Sequence, residues 1–83
     1  MARFHFHLHE CGVVTTDEDG SDLPDLDTAR AAAIDAAREI MCGEIRAGRL
    51  CLSCCIVIED ANQHEIARVP FRDTIAITGY TEG

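Results

Sequence analysis

The residues with the most obvious chemical capacity are His5, His7 and His9, which alternate with Phe4, Phe6 and Leu8 in the run Arg3 to His9. Alternation of this kind places the three imidazoles on one face of a strand, with neighbours roughly 6–7 Å apart. Two imidazoles so spaced can share one zinc, nickel or copper ion, and Cys11 or an acid can complete the set. His5, His7 and His9 are therefore the candidate metal ligands. The plainer reading is a polar, partly solvated strand face, because no carboxylate that would orient these rings can be picked out by sequence.

A second group is Cys51-Leu52-Ser53-Cys54-Cys55, whose two-residue spacing is shared by zinc knuckles and dithiol redox sites. A zinc site normally draws on a second such pair, and a dithiol site sits at a helix N-terminus. This pair leads into a strand pattern instead, so packing and loop thiols are the favoured reading. Asp17-x-Asp19-Gly20-x-Asp22 resembles part of a calcium loop. Its ligand order departs from the EF-hand, no glutamate stands at the twelfth position, and a solvated turn is the better description. Ser53 has no nucleophile motif around it, Cys54 and His64 would meet only if a hairpin register aligned them, and phosphate-cradling glycine loops are missing. The expectation is a protein that is not an enzyme, with no catalytic residue.

These groups must be positioned by a small set of elements. The longest is an amphipathic helix from Leu26 to Ala47, on which Ala29, Ala33, Ile34, Ala36, Ala37, Ile40, Met41, Ile45 and Ala47 share about half the circumference. Asp35, Arg38, Glu39, Cys42 and Arg46 fall on the polar side. A face so rich in alanine suits close approach to a sheet, and the aromatic side of the first strand supplies the missing bulk. Asp25 is the expected N-cap, and Gly48 the left-handed terminator. Glu10-Cys11-Gly12 reads as a turn into a second strand, Val13 to Thr16. Beyond the helix, residues 50–59 read as a strand that is apolar on both faces, and residues 60–63 as a turn. His64 to Val69 returns as the next strand until Pro70 ends it and Phe71 enters the core. Thr74 to Thr78 is a further short strand, and Gly79 to Gly83 a fraying end.

The chain has 83 residues, enough for one small α+β domain over 1–83 and near the lower size limit for a self-sufficient core. Dimerisation would add burial, and a strand apolar on both faces beside a single helix points the same way. Fifteen acidic against seven basic side chains give a net charge of −8, which disfavours nucleic acid and anionic membrane surfaces as partners. No stretch approaches a membrane span, and the opening residues lead into a strand pattern instead of an export signal, so a cytoplasmic address is expected. In that compartment five cysteines, an odd number, read as free thiols or metal ligands.

Taken together, Arg3 with Phe4, Phe6 and His7, then Asp17 with Gly20, Leu23-Pro24-Asp25, the alanine-rich Ala29 to Ile40, and Val69-Pro70-Phe71-Arg72-Asp73 span most of the chain. This set resembles a family of short bacterial proteins classed as a domain of unknown function, with an Arg-x-aromatic-x-aromatic-His opening and a closing Val-Pro-Phe-x-Asp. The resemblance implies a compact α+β unit and supplies no activity. Of the histidines only His7 belongs to the family opening, whereas His5, His9 and the cysteine cluster look particular to this sequence. A looser similarity, in Asp17-x-x-Gly20, Leu23-Pro24-Asp25 and the following helix, is to small antitoxins with a partial ribonuclease-H-like fold, without their DNA-binding appendage.

The sequence thus predicts a two-layer α+β domain, ββ-α-ββ(β), with a mainly antiparallel sheet packed on one long helix. Its leading functional reading is a non-catalytic interaction module acting as a homodimer. The alternatives are a metal-binding protein using the His5/His7/His9 face and an antitoxin-like partner of a basic protein.

Overall fold

A computed structural model describes residues 1–79. Its elements are β1 (Ala2–Glu10), β2 (Val13–Thr15), β3 (Ser21–Leu23), α1 (Leu26–Arg46), β4 (Cys55–Glu59) and β5 (Glu65–Pro70), followed by a 3₁₀ turn over Phe71–Thr74. The five strands pair antiparallel in the order β2-β1-β4-β5, with β3 also on β1. This is the expected two-layer α+β arrangement.

The odd-even alternation of β1 works as the pattern requires. Phe4 is buried in the core with Phe6 and Leu8 packed beside it, and His5, His7 and His9 lie on the other side. Ala29, Ala33, Ala37 and Met41 of α1 cover that core, which also holds Ile56, Ile58, Val69 and Phe71. The buried stripe is narrower than the half-circumference predicted, since Ala36 and Ala47 are exposed and Ile45 is 62% exposed. Alanine lets helix and sheet approach so closely that a flat partner touches only the nearest line of residues, spaced four apart.

The helix ends are as expected. Asp25 Oδ1 accepts from the amide of Thr28 at 2.8 Å and from its hydroxyl at 2.7 Å, a cap contributing about 1 kcal/mol. Gly48, at φ +89°, closes the other end: its amide donates to Ile45 O and that of Arg49 to Glu44 O, both at 3.0 Å.

Three expectations need correction. Residues 50–54 are an irregular loop, and the strand begins only at Cys55, because Cys54 turns inward and its carbonyl accepts from the Phe71 amide at 2.9 Å. Thr74 to Thr78 is not a strand. Pro70 ends the ladder, Phe71 is fully buried, and Arg38 Nε takes the Thr74 carbonyl at 2.8 Å, which docks the chain on the helix. The additional strand is instead Ser21–Leu23, before the helix. Of the end expected to fray, residues 80–83 lie outside the described residues.

β4 was expected to need cover from a second subunit on its outer face. Val57 does point to the histidine side, yet it is buried within the chain, flanked by its register partners His7 on β1 and Arg68 on β5. The apolar residue on the outer face of β4 is thus already out of solvent within a single chain. No helix among the described residues is long and apolar enough to cross a membrane.

Candidate functional site: a three-thiol cluster

Two groups of chemically capable side chains emerge. On the outer face, a cavity of about 600 Å³ is lined by His5, His7, His9, Asp17, Glu18 and Glu59 among others. The His5 and His7 rings stack with centroids 6.3 Å apart. His7 Nδ1 accepts from the Asp17 amide at 3.1 Å, so its proton sits on Nε2 and faces Glu59 Oε1 at 3.0 Å. Both nitrogens of His7 are therefore engaged. His5 donates from Nδ1 to the Asp17 carbonyl at 2.8 Å, so Nε2 carries the lone pair, with no partner among the described residues. Glu59, from β4, is the carboxylate partner that sequence alone could not supply.

Asp17 organises this face. Its carboxylate accepts from the amides of Phe6 and Gly20, each at 3.1 Å, so it bonds to β1 between the stretches that β2 and β3 pair with. Partial burial disfavours the charge, but these two bonds and the nearby imidazoles outweigh it and hold the carboxyl below the usual range. Gly20 is required where it stands, because at φ +73° a Cβ would come within 2.9 Å of the Phe4 carbonyl. Asp22 pairs with the Arg3 guanidinium through both oxygens, at 3.1 and 3.0 Å. Two carboxylates of the acidic segment, those of Asp17 and Asp22, are thus spent on contacts within the chain.

The second group is the convergence of Cys11, Cys51 and Cys54, whose sulfurs all lie within 4.8 Å of one another. It is the one set of three or more such ligand atoms among the described residues. Cys11 and Cys51 Sγ are 3.3 Å apart, and Cys51 and Cys54 Sγ 3.1 Å. Two pieces of chain deliver them, the β1–β2 hairpin and the loop between α1 and β4. Cys11 occupies the tip of the β1–β2 hairpin, Cys51 the loop after the helix, and Cys54 the point where that loop enters the core.

The hairpin has Cys11 at φ +40° and Gly12 at φ +84°, a two-residue turn with both centres in the left-handed region. Asparagine, aspartate or glycine fits the first of these positions, and another side chain costs about 1–2 kcal/mol there. A cysteine held at such a position is placed at a cost in backbone strain. The Cys51 loop is tied to the helix by its amide, which donates to Glu44 Oε1 at 3.4 Å.

The three sulfurs are electrostatically unequal. Hydrogen bonding by the Ser53 hydroxyl, 3.2 Å from Cys51 Sγ, and then by the Cys54 and Cys11 thiols lowers the Cys51 thiol to about 6. Burial first, and then donation to Cys51, pushes Cys54 up to about 12. Cys11 is raised as well, chiefly by its hydrogen bond to Cys51. The cluster favours one negative charge, centred on the middle sulfur.

Among the residues singled out by sequence, Cys51 and Cys54 come together, and Cys11 joins them instead of the histidines. Cys42 is exposed on the helix as expected, and Cys55 faces the Arg68 guanidinium at 3.8 Å. Cys54 and His64 do not meet: the register Cys55↔Pro70 and Glu59↔Glu65 puts them at opposite ends of the β4–β5 hairpin. The turn at Glu10-Cys11-Gly12 is legible in the sequence, but no local signal ties its cysteine to Cys51, 40 residues later.

No curated protein and no solved structure gives a significant match to this chain. A family model does match, over residues 3–72, which takes in the helix, all five cysteines and every strand but for the first residue of β1. The chain belongs to the family described as a domain of unknown function, DUF6894.

Proposed function

We propose that this domain binds a thiophilic metal ion, Zn²⁺ in the first instance, through Cys11, Cys51 and Cys54. The observation that carries the reading is the three-sulfur convergence within 4.8 Å from segments 40 residues apart in sequence. Around a tetrahedral zinc, with Zn–S about 2.3 Å, sulfurs sit about 3.8 Å from one another. Edges of 3.3 and 3.1 Å fall short of that value by less than an ångström. Thiolates select zinc or cuprous ion over harder cations, and three of them leave a fourth position for water. The role is binding, not catalysis.

The histidine face supports the same class of function less well, because His7 has both nitrogens engaged before any ion arrives. Titration of tag-free, reduced protein with Zn²⁺, and with Co²⁺ as a coloured probe, tests the proposal. The expected result is one ion per chain and a sulfur-to-cobalt charge-transfer band. Replacing Cys11, Cys51 or Cys54 by serine should each weaken binding by at least the 10-fold to 100-fold, in round terms about one to two decades, that even outer-shell partners are worth. Cys42→Ser and Cys55→Ser should leave it unchanged. Affinity equal in the wild type and the triple serine variant would remove the site, and retained binding lost only in His5→Ala, His7→Ala would move it to the histidine face.

A second reading is an interaction module, with a second copy of the chain or a basic protein as partner. Val13 and Val14 favour it, 63% and 52% exposed on the short strand β2. The net charge of −8 suits a basic surface. Light scattering at micromolar concentration should show a dimer if the partner is a second copy, and a monomer throughout would count against it.

A further inference from the structure

We propose that Cys11 and Cys51 form a reversible oxidation site, at which a peroxide converts the two thiols into an intramolecular disulfide that dismantles the three-thiol cluster. The effect on metal rests on the zinc reading above; the crosslink itself does not. The geometry selects this pair. A disulfide needs sulfurs about 2.05 Å apart, so the Cys11–Cys51 gap of 3.3 Å closes by a little over an ångström. Cys11 is exposed at a hairpin tip and Cys51 is half-buried in an irregular loop, so both are within reach of a small oxidant.

Cys54 is as near to Cys51 but is placed differently. Its side chain is part of the core, its carbonyl is held by the Phe71 amide, and its thiol donates toward Cys51. Pairing it with Cys51 would draw a packed sulfur outward and open space beneath it. Cys42 and Cys55 do not belong to the cluster.

The chemistry balances in two steps. The Cys51 sulfur attacks one oxygen of hydrogen peroxide and the O–O bond breaks. Hydroxide leaves and takes up the Cys51 proton as the first water, so that sulfur is oxidised by two electrons to the sulfenic acid and the peroxide is reduced. The Cys11 sulfur then attacks the Cys51 sulfur, the S–O bond breaks, and the departing hydroxide takes up the Cys11 proton as water. Two thiols and one peroxide give one disulfide and two waters. A small thiol such as dithiothreitol reverses the bond by exchange. In the zinc-loaded protein the same sulfurs are committed to the ion, so metal and oxidant compete for them.

Metal-free, reduced full-length protein exposed to equimolar hydrogen peroxide, followed by thiol counting and unreduced peptide mapping, tests the proposal. The expected result is loss of two thiols and a crosslink between the peptides carrying Cys11 and Cys51, reversed by dithiothreitol. The link should persist in Cys54→Ser, Cys55→Ser and Cys42→Ser, and vanish in Cys11→Ser and Cys51→Ser. A link that survives Cys51→Ser, a Cys51–Cys54 loop in its place, or irreversible oxidation without a crosslink would overturn it. Zn²⁺ binding should fall at least tenfold in the oxidised protein, and unchanged binding would overturn the regulatory half. Zinc binding without a crosslink sinks this proposal alone, whereas a crosslink without zinc binding sinks only the metal reading.

Discussion

Phe71→Ala is expected to destabilise the domain by about 3–5 kcal/mol and to weaken metal binding with it. Phe71 is fully buried, and its backbone amide, which alanine keeps, holds the Cys54 carbonyl at 2.9 Å, so loss of the ring loosens the placement of that amide and of the loop that delivers two of the three thiols. A domain of this size has about 5–15 kcal/mol in total, which makes the loss a large fraction of its stability. Truncation leaves a cavity in the core to which Cys54 also belongs. Urea unfolding at neutral pH should show the midpoint shift, and Co²⁺ titration below the midpoint should show weaker binding in the fraction still folded. A variant that loses stability but binds Co²⁺ as the wild type does would separate the core from the thiol site.

Asp17→Ala should cost about 2–4 kcal/mol, because it leaves the amides of Phe6 and Gly20 without their acceptor. Both donors lie in partly buried positions on or beside β1, where water replaces the carboxylate poorly. The loss should depend on pH, and its sign follows from the direction of the shift. The folded protein holds the Asp17 carboxyl below the value it has when unfolded. Its contribution is therefore fully present above the unfolded value of about 4, and is lost as the pH falls through the lower folded value. Unfolding curves of wild type and variant should stay apart at neutral pH and converge in acid. A constant gap across that range would mean that the charge of Asp17 has no part in holding the turn to β1.

Local patterns carried most of the architecture. The alternation of Phe4, Phe6 and Leu8 with three histidines set the face of β1, and Asp25 and Gly48 set the ends of the helix, because each of these depends on neighbours within a few residues. The reading failed where the deciding contact was distant. Residues 50–54 carry a strand-like composition, but the Phe71 amide and the core claim Cys54 and leave the rest as a loop. Thr74 to Thr78 is β-branched enough to suggest a strand, yet Arg38, 36 residues earlier, takes the Thr74 carbonyl. The alanine arc was read too wide because a helical wheel gives direction and says nothing about how near the partner comes.

The candidate site divides in the same way. The histidine face was legible, since a strand of period two places its side chains without help from elsewhere. Its chemistry was not: Glu59 and Asp17 reach His7 and His5 only because β4 pairs with β1 and the acidic turn folds back over it. The thiol cluster depended on more still. Cys51 and Cys54 stand with two residues between them, but the third sulfur comes from a hairpin tip 40 residues before Cys51.

By itself, then, the sequence determined the strand alternation, the capped alanine helix and the α+β class, because short-range sterics and hydrogen bonding act wherever those residues stand. Only the tertiary structure decided which thiols meet and which imidazole nitrogens are engaged. Those outcomes turn on strand register and on the path of one loop, and no local pattern encodes the distance between segments that pair across the sheet.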